Sequence, residues 1–412
     1  MNKHRKQAVA FPVLLIVFLL AALLFTGLLL FQHRSALGIR WQSSAKLSKD
    51  VHLPVHHPHA KILGTAQQAQ PASHMATGTL QQEGQKIDGI LNATGFSGTA
   101  VVVSNDKILL DKGYQFSDRA TNEPNTPTTQ YYIGSMTKAL TAAAFMQLRQ
   151  RGLIDFSTPV SQYYPSFPNG KAITLLTLLD HVSGLGSDHE ALQNLTPDQM
   201  VAKIAALNPH LHSRPGTSWS YEDTNYALIG AILEKVCQNT YHESLHDYMR
   251  ANIFEKAGMH DTDFGTVNTR HDNLSYGYAR ERIDKPVIRQ QYLPSFTQLI
   301  GCGDIYTTAW DLYLFDEALS RDKLTTDQSR NDLFTERFAG TQYMLGWYRN
   351  RGGWGADTYA SHGVLSGWMG SNSFSIDRSS YVILLSNVYD KTVDIPSLNE
   401  RIFAILANKS QK

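Results

Sequence analysis

Residues 131–148 read YYIGSMTK followed by ALTAAAFMQL. The second half carries no charge and is rich in Ala and Leu. A helix apolar on nearly every side has to sit inside a large core, so any chain holding it must fold around it. Ser135 falls at or near the N-terminus of that helix, and Lys138 follows three residues later on the same face. A hydroxyl is thereby held beside an amine, where the positive end of the helix dipole favours developing negative charge. A Lys kept out of water loses its proton more readily and can accept one from Ser. The same residues would also serve as a solvated N-cap and a Lys with its head in water, so the surrounding sequence has to decide.

The chain has 412 residues, enough for one large domain or two ordinary ones. Lys and Arg number 37 against 36 Asp and Glu, a formal charge of +1, which gives no electrostatic grip on nucleic acid. Cys237 and Cys302 cannot form a disulfide framework; one bridge or two buried thiols are both open. At the N-terminus, Lys3, Arg5 and Lys6 precede an uncharged apolar run over residues 8–31. That run is long enough to span a bilayer and too long for a signal-peptide core, and no small-residue cleavage site follows it. The expectation is a retained single-pass anchor. Residues 1–7 would form the cytoplasmic tail, because basic flanks stay inside, and the bulk of the chain would lie outside. Residues 32–85, rich in Gln, Ser, Ala, Thr and His, read as an extracellular spacer. His52, His56, His57 and His59 belong to that spacer, and no Cys or acidic residue joins them to make a metal site.

A folded domain over residues 86–408 is expected after the spacer. Residues 98–104 and 107–111 flank Asn105-Asp106 as a β-hairpin with a two-residue turn. The Ser135 helix is stopped by Gly152. Residues 173–258 are mostly helical. Within them 197–207 form a helix with Thr196 as N-cap and Pro197 in the first position, and 225–237 form another. A helix near 310–319, strands over 342–348, 372–376 and 381–386, and an amphipathic helix over 396–407 complete the chain. Strands at both ends and helices between them predict an α+β fold, in which one antiparallel sheet is flanked by helices and carries an inserted all-α subdomain.

Several segments, taken in order, resemble the penicillin-recognising serine hydrolases, and in particular the branch of class C β-lactamases, DD-carboxypeptidases and D-alanyl esterases. They are the Ser135-x-x-Lys138 motif, 174–185 (TLLTLLDHVSGL), 215–230 (PGTSWSYEDTNYALIG), 253–259 (IFEKAGM), 301–308 (GCGDIYTT) and His362-Gly363-Val364 followed by Ser366-Gly367-Trp368. The resemblance implies a groove between sheet and helical subdomain, with Ser135 as nucleophile and no metal or other cofactor. Lys138 would take up the proton, directly or through Tyr221, which matches the tyrosine of the family's Tyr-x-Asn motif. Asp223 and the His362-Gly363-Val364 strand would contact substrate. The backbone N–H of Ser135 and one from Val364 or Leu365 would form the oxyanion hole.

Two positions depart from the family pattern. Asp223 replaces the usual Asn, so a group able to donate and accept becomes one that only accepts when ionised. It could pair with a substrate ammonium, or with Lys138, whose pKa it would raise. In the third motif His362 is expected to be the cation-like member, while Val364 stands where Gly is usual. A further motif, His242-Glu243-x-x-His246, matches a zinc-protease pattern but lacks a third ligand and falls within a helical region the resemblance explains without metal. No G-x-S-x-G is present, which excludes the α/β-hydrolase signature. The expected function is that of a cell-surface serine hydrolase acting on an envelope polymer. The leading substrate is the D-alanyl ester of teichoic acid, whose free ammonium suits Asp223. Peptidoglycan D-alanyl-D-alanine termini are the alternative, and a non-catalytic envelope-binding module is the reading of another class.

Overall fold

The computed structural model describes residues 75–407, apart from 188–191, 267–268, 270, 283, 291 and 351–356. The expected anchor, the cytoplasmic tail and the histidine-rich part of the spacer lie outside the described residues. Among the described residues no helix is long and apolar enough to cross a membrane.

Folded structure begins before residue 86. The Ala76 N–H donates to Ile108 O at 3.0 Å, and helix α1 runs over Thr79–Ala93. Its Ile87 and Leu91 are fully buried while its Gln and Lys side chains face outward. That amphipathic pattern accounts for a stretch that reads as polar spacer in composition alone.

The principal strands are β1 (Gly98–Ser104), β2 (Lys107–Tyr114), β3 (Tyr131–Tyr132), β4 (Ile305–Thr307), β5 (Tyr343–Met344), β6 (Trp347–Asn350), β7 (Thr358–Leu365), β8 (Trp368–Ser375) and β9 (Ser380–Ser386). Seven of them form one antiparallel sheet in the order β5-β6-β7-β8-β9-β1-β2. The expected closure of the sheet from both chain ends is therefore observed at the β9–β1 pair. The β1–β2 turn at Asn105-Asp106 has both residues at positive φ, 50° and 59°, the backbone that a two-residue hairpin of matching twist requires. Residues 342–348 are not one strand. Leu345 and Gly346, also at positive φ, fold them into a tight β5–β6 hairpin.

Side chains alternate across β1, so the sheet separates two cores. Ala100 and Val102 pack with α1 and with the C-terminal helix Ile395–Ala407. Val101 and Val103 belong to the larger core, which holds helix α2 (Thr137–Gln150). In α2 every residue from Thr137 to Leu148 is buried, Lys138 included, as the charge-free run after Lys138 requires. Helices α3 (Leu175–Leu179), α4 (Pro197–Leu207) and α5 (Asp223–Tyr241) follow. Thr196 caps α4, accepting from the Gln199 N–H at 3.2 Å.

The zinc-like motif is broken by the backbone. Helix α5 ends at Tyr241, His242 takes a left-handed conformation, and Ser244 starts a separate helix, Leu245–Met249. The two histidines therefore do not share one helical face. His246 Nε2 instead meets Asp304 Oδ2 at 2.8 Å, and its ring stacks on Phe264. Both cysteines are buried and neither forms a disulfide.

Candidate active site

Ser135 is delivered by a short strand. β3 pairs with β4, and the Ile133 N–H continues the ladder to Ile305 O at 3.1 Å. Gly134 then turns the chain at φ 50° into a single 3-10 turn, Gly134–Met136, which leads directly into α2. Ser135 thus sits half-buried in the turn before the α-helix, one step ahead of the expected helical N-terminus.

The strand β7 packs against this turn backbone to backbone. A side chain at Gly134 would lie 2.5 Å from Val364 O, and one at Gly363 would lie 1.9 Å from Ile133 O. β6 pairs with β7 only from Thr358 to Ala360, so the later residues of β7 are left to face the Ser135 turn. Gly363 is therefore needed for close approach, not for flexibility. Gly363→Ala is expected to cost about 3 kcal/mol through overpacking and to lower hydrolytic turnover by about 100-fold by displacing the turn. A denaturant titration and an ester assay on the same sample check both.

Lys138 is 1% exposed and its ammonium is fully engaged. Nζ donates to Ser135 Oγ at 2.8 Å, to Asp223 Oδ1 at 2.5 Å and to Cys302 O at 3.3 Å. These partners use the three N–H donors of an ammonium. Burial acts to lower the Lys138 pKa, but the Tyr221 phenol and the Asp223 carboxylate act the other way and leave it above its ordinary value. Lys138 is accordingly a cation at rest. Asp223, the first residue of α5, is the arrangement's outward face, with its side chain 41% exposed. Of the two expectations for Asp223, pairing with Lys138 is the one observed.

Tyr221 lies beside this pair and turns the face of its ring to it, with Lys138 Nζ 4.8 Å from the ring centroid. Among the described residues no hydrogen bond joins the Tyr221 hydroxyl to Ser135 or Lys138. The ring is held by His181, whose imidazole lies 4.3 Å away centroid to centroid. His181 Nδ1 accepts from the Glu222 N–H at 3.3 Å and faces the Asn225 amide at 3.0 Å, while Nε2 meets the Tyr343 hydroxyl at 3.2 Å. A ring that accepts at one nitrogen and donates at the other is neutral. Burial and the nearby Lys138 charge hold it so, well below its ordinary pKa. The role of 174–185 is thus to anchor the segment bearing Tyr221 and Asp223.

His362 stacks on Tyr348, with centroids 5.8 Å apart, and its Nδ1 lies 3.1 Å from Ser371 Oγ. Burial lowers its pKa to about 4, with Asp394 opposing. His362 is neutral near pH 7, which corrects the expectation of a cation there. Val364 is exposed. Three contributors escape motif reasoning: the Cys302 carbonyl, His181 and Tyr348. Burial raises the pKa of the Tyr348 hydroxyl, and the Tyr221 phenol, the Lys138 charge and the Asp223 carboxylate also act on it. Only the first two lie in segments that the sequence marks out.

An antiparallel sheet, a buried helix entered through Ser-x-x-Lys, and a β-strand laid against the serine turn define a serine hydrolase of the β-lactamase fold. The chain belongs to that family: the model described as Beta-lactamase matches residues 82–407. Among relatives, it is 37% identical over 322 residues to penicillin-binding protein PbpX of Bacillus subtilis (strain 168), covering 78% of each chain. It is 28% identical over 261 residues to a teichoic acid D-alanine hydrolase of Staphylococcus aureus, covering 63% of each. The fold is similar to the crystal structure of FmtA from Staphylococcus aureus, with a TM-score of 0.70 and 23% identity, over 81% of this chain and 91% of that one.

Proposed function

We propose that this chain is a membrane-anchored, extracellular esterase that releases D-alanine from D-alanyl esters of teichoic acid through an acyl-enzyme on Ser135. The observation that carries the reading is the Ser135–Lys138–Asp223 line, with separations of 2.8 and 2.5 Å. A protonated Lys138 cannot take the serine proton until it gives one up, and Asp223 is the acceptor within reach. Nζ passes a proton to Asp223 as it takes one from Ser135. The freed Oγ then attacks the ester carbonyl and forms the acyl bond. Backbone N–H groups of Ser135 and of β7 around Val364 would meet the developing oxyanion. The polymer hydroxyl leaves with the proton returned through Lys138, and water then cleaves the acyl-enzyme by the same relay, releasing D-alanine and restoring Ser135 Oγ–H.

The exposed side of Asp223 also supports this substrate. An aminoacyl ester brings an uncapped ammonium to a carboxylate that is 41% exposed to solvent, a charge-assisted contact. The neutral His362, and Gly363 in the middle of the third motif where a hydroxyl residue can stand in the resembling family, weaken the alternative site for a terminal peptide carboxylate. The relative named as a teichoic acid D-alanine hydrolase is in keeping with this reading. The relative named as a penicillin-binding protein favours the alternative, carboxypeptidase action on peptidoglycan D-alanyl-D-alanine termini. Purified full chain should release D-alanine from D-alanylated teichoic acid at least about tenfold faster, in kcat/KM, than from a D-alanyl-D-alanine peptide, the margin of one good hydrogen bond. Release from the peptide alone would overturn the ester reading in favour of the carboxypeptidase.

A further inference from the structure

A polar cavity of about 140 Å³ opens near the start of β1 and the end of β9, lined among others by Ser97, Gln115, Arg119, Arg280 and Asp390. Its two guanidinium groups differ. Arg280 is neutralised: its Nε donates to Asp390 Oδ2 at 2.8 Å and its Nη2 reaches the same oxygen. Asp390 Oδ1 is in turn taken by the Thr392 N–H and hydroxyl.

Arg119 has only neutral partners. Its Nη2 donates to Gln115 Oε1 at 2.9 Å and to Ser97 Oγ at 3.3 Å, and its guanidinium lies 5.7 Å from the Tyr278 ring centroid. Its Nε is buried with no hydrogen-bond partner. The adjacent carboxylate, Asp118, accepts at Oδ1 from the Ala120 N–H and the Tyr278 hydroxyl. Among the described residues no carboxylate forms an ion pair with Arg119. A partly buried cation whose charge is unanswered is costly, and burial and the neighbouring Arg280 charge both press its pKa down, against Tyr278.

We propose that this cavity binds a phosphate-type oxyanion, held by the Arg119 guanidinium with Arg280 beside it. A guanidinium fork suits such an anion. Arg280 is already paired with Asp390, so the unanswered charge that such an anion would meet is that of Arg119.

The cavity's place in the sheet suggests what brings that anion. The register puts Leu365, Trp368, Ser386, Gly98 and Tyr114 at one end of the sheet. His362 and Val364 lie near that end on β7, and β1 is three strand spacings away, roughly 14 Å at about 4.8 Å each. A polyol-phosphate chain carries a phosphodiester in every repeat. One esterified unit at Ser135 therefore leaves others of the same chain able to reach the cavity. This second step rests on the proposed polymer substrate, whereas anion binding itself does not.

The test uses the full chain, inorganic phosphate as probe and chloride at matched ionic strength as control. Phosphate should raise the Tm of wild type and not that of Arg119→Gln. Gln115→Glu would supply Arg119 with an internal carboxylate at the cost of the Nε2 bonds to Gly95 O and Phe96 O, and should likewise lose the response, read against its own chloride control. It carries the test if Arg119→Gln does not fold. Equal shifts in all three proteins, or none in wild type, would overturn the proposal. The KM for D-alanylated polymer, referenced in each protein to a chromogenic ester too short to reach the cavity, separates the two sources. A rise of about tenfold in both variants, the margin of one charge-assisted contact, identifies the polymer's phosphodiester. An unchanged KM with the Tm response intact identifies free phosphate. A wild type inactive on the polymer would remove the proposed substrate and leave the Tm result standing.

Discussion

Ser135→Ala is expected to lower D-alanine release from D-alanylated teichoic acid by about 10⁴-fold or more, because no covalent intermediate can then form. The effect should fall on kcat with KM little changed, since the substitution removes only the attacking atom. Folding should be retained: Ser135 is half-buried and holds its turn through backbone bonds at Ile133 and Met136, not through its hydroxyl. A fluorophosphonate probe should add its mass to wild type and not to the variant. Wild-type rates in Ser135→Ala would remove the serine from the chemistry. Equal background release by both proteins on polymer, peptide and chromogenic ester would leave the envelope-binding module as the surviving reading.

The parts of the fold that were legible are those with a local physical cause. The uncharged Ala-rich stretch after Lys138 could only be an interior helix, and all twelve residues of 137–148 are buried. Asn105-Asp106 marked a hairpin because both positions tolerate positive φ, and Thr196-Pro197 marked a helix start because cap and first turn have distinct needs. What failed depended on partners far away in sequence. The first half of helix α1, up to residue 85, reads as spacer because its apolar stripe is narrow, and its burial exists only once β2 and the C-terminal helix lie against it. His362 read as a cation by analogy with its motif position, but its charge is decided by packing against Tyr348 and by burial, which no local pattern records. The Cys302 carbonyl under Lys138 is 164 residues away in sequence and is a backbone group, so its side chain gave no hint. Ser135 and Lys138 were visible as a spacing; the line they form with Asp223 needed the fold.

That line makes Asp223→Asn the most discriminating substitution. Asn restores the residue usual in the resembling family, so a site in which position 223 merely orients substrate should tolerate it. The geometry argues otherwise. Lys138 stays charged because the Tyr221 phenol and the Asp223 carboxylate outweigh burial, and among the described residues the only carboxylate it touches is Asp223. With Asn, Nζ keeps a hydrogen-bond acceptor but loses both its counter-charge and the group that can take its proton. The expected result is a fall in kcat/KM of about 10²–10⁴-fold, the range of a lost proton acceptor. The sign of the pH effect follows from the same balance. Without Asp223, burial has less opposition, so the Lys138 pKa drops relative to wild type and neutral lysine forms at lower pH. The residual activity of Asp223→Asn should therefore climb with pH in a limb that wild type lacks, as Lys138 becomes able to accept the Ser135 proton unaided. Because Asp223 is 41% exposed and Asn is nearly isosteric, the fold should survive, which near-UV circular dichroism verifies. Wild-type activity with a wild-type pH profile would break the relay and return Lys138 to the role of a simple base.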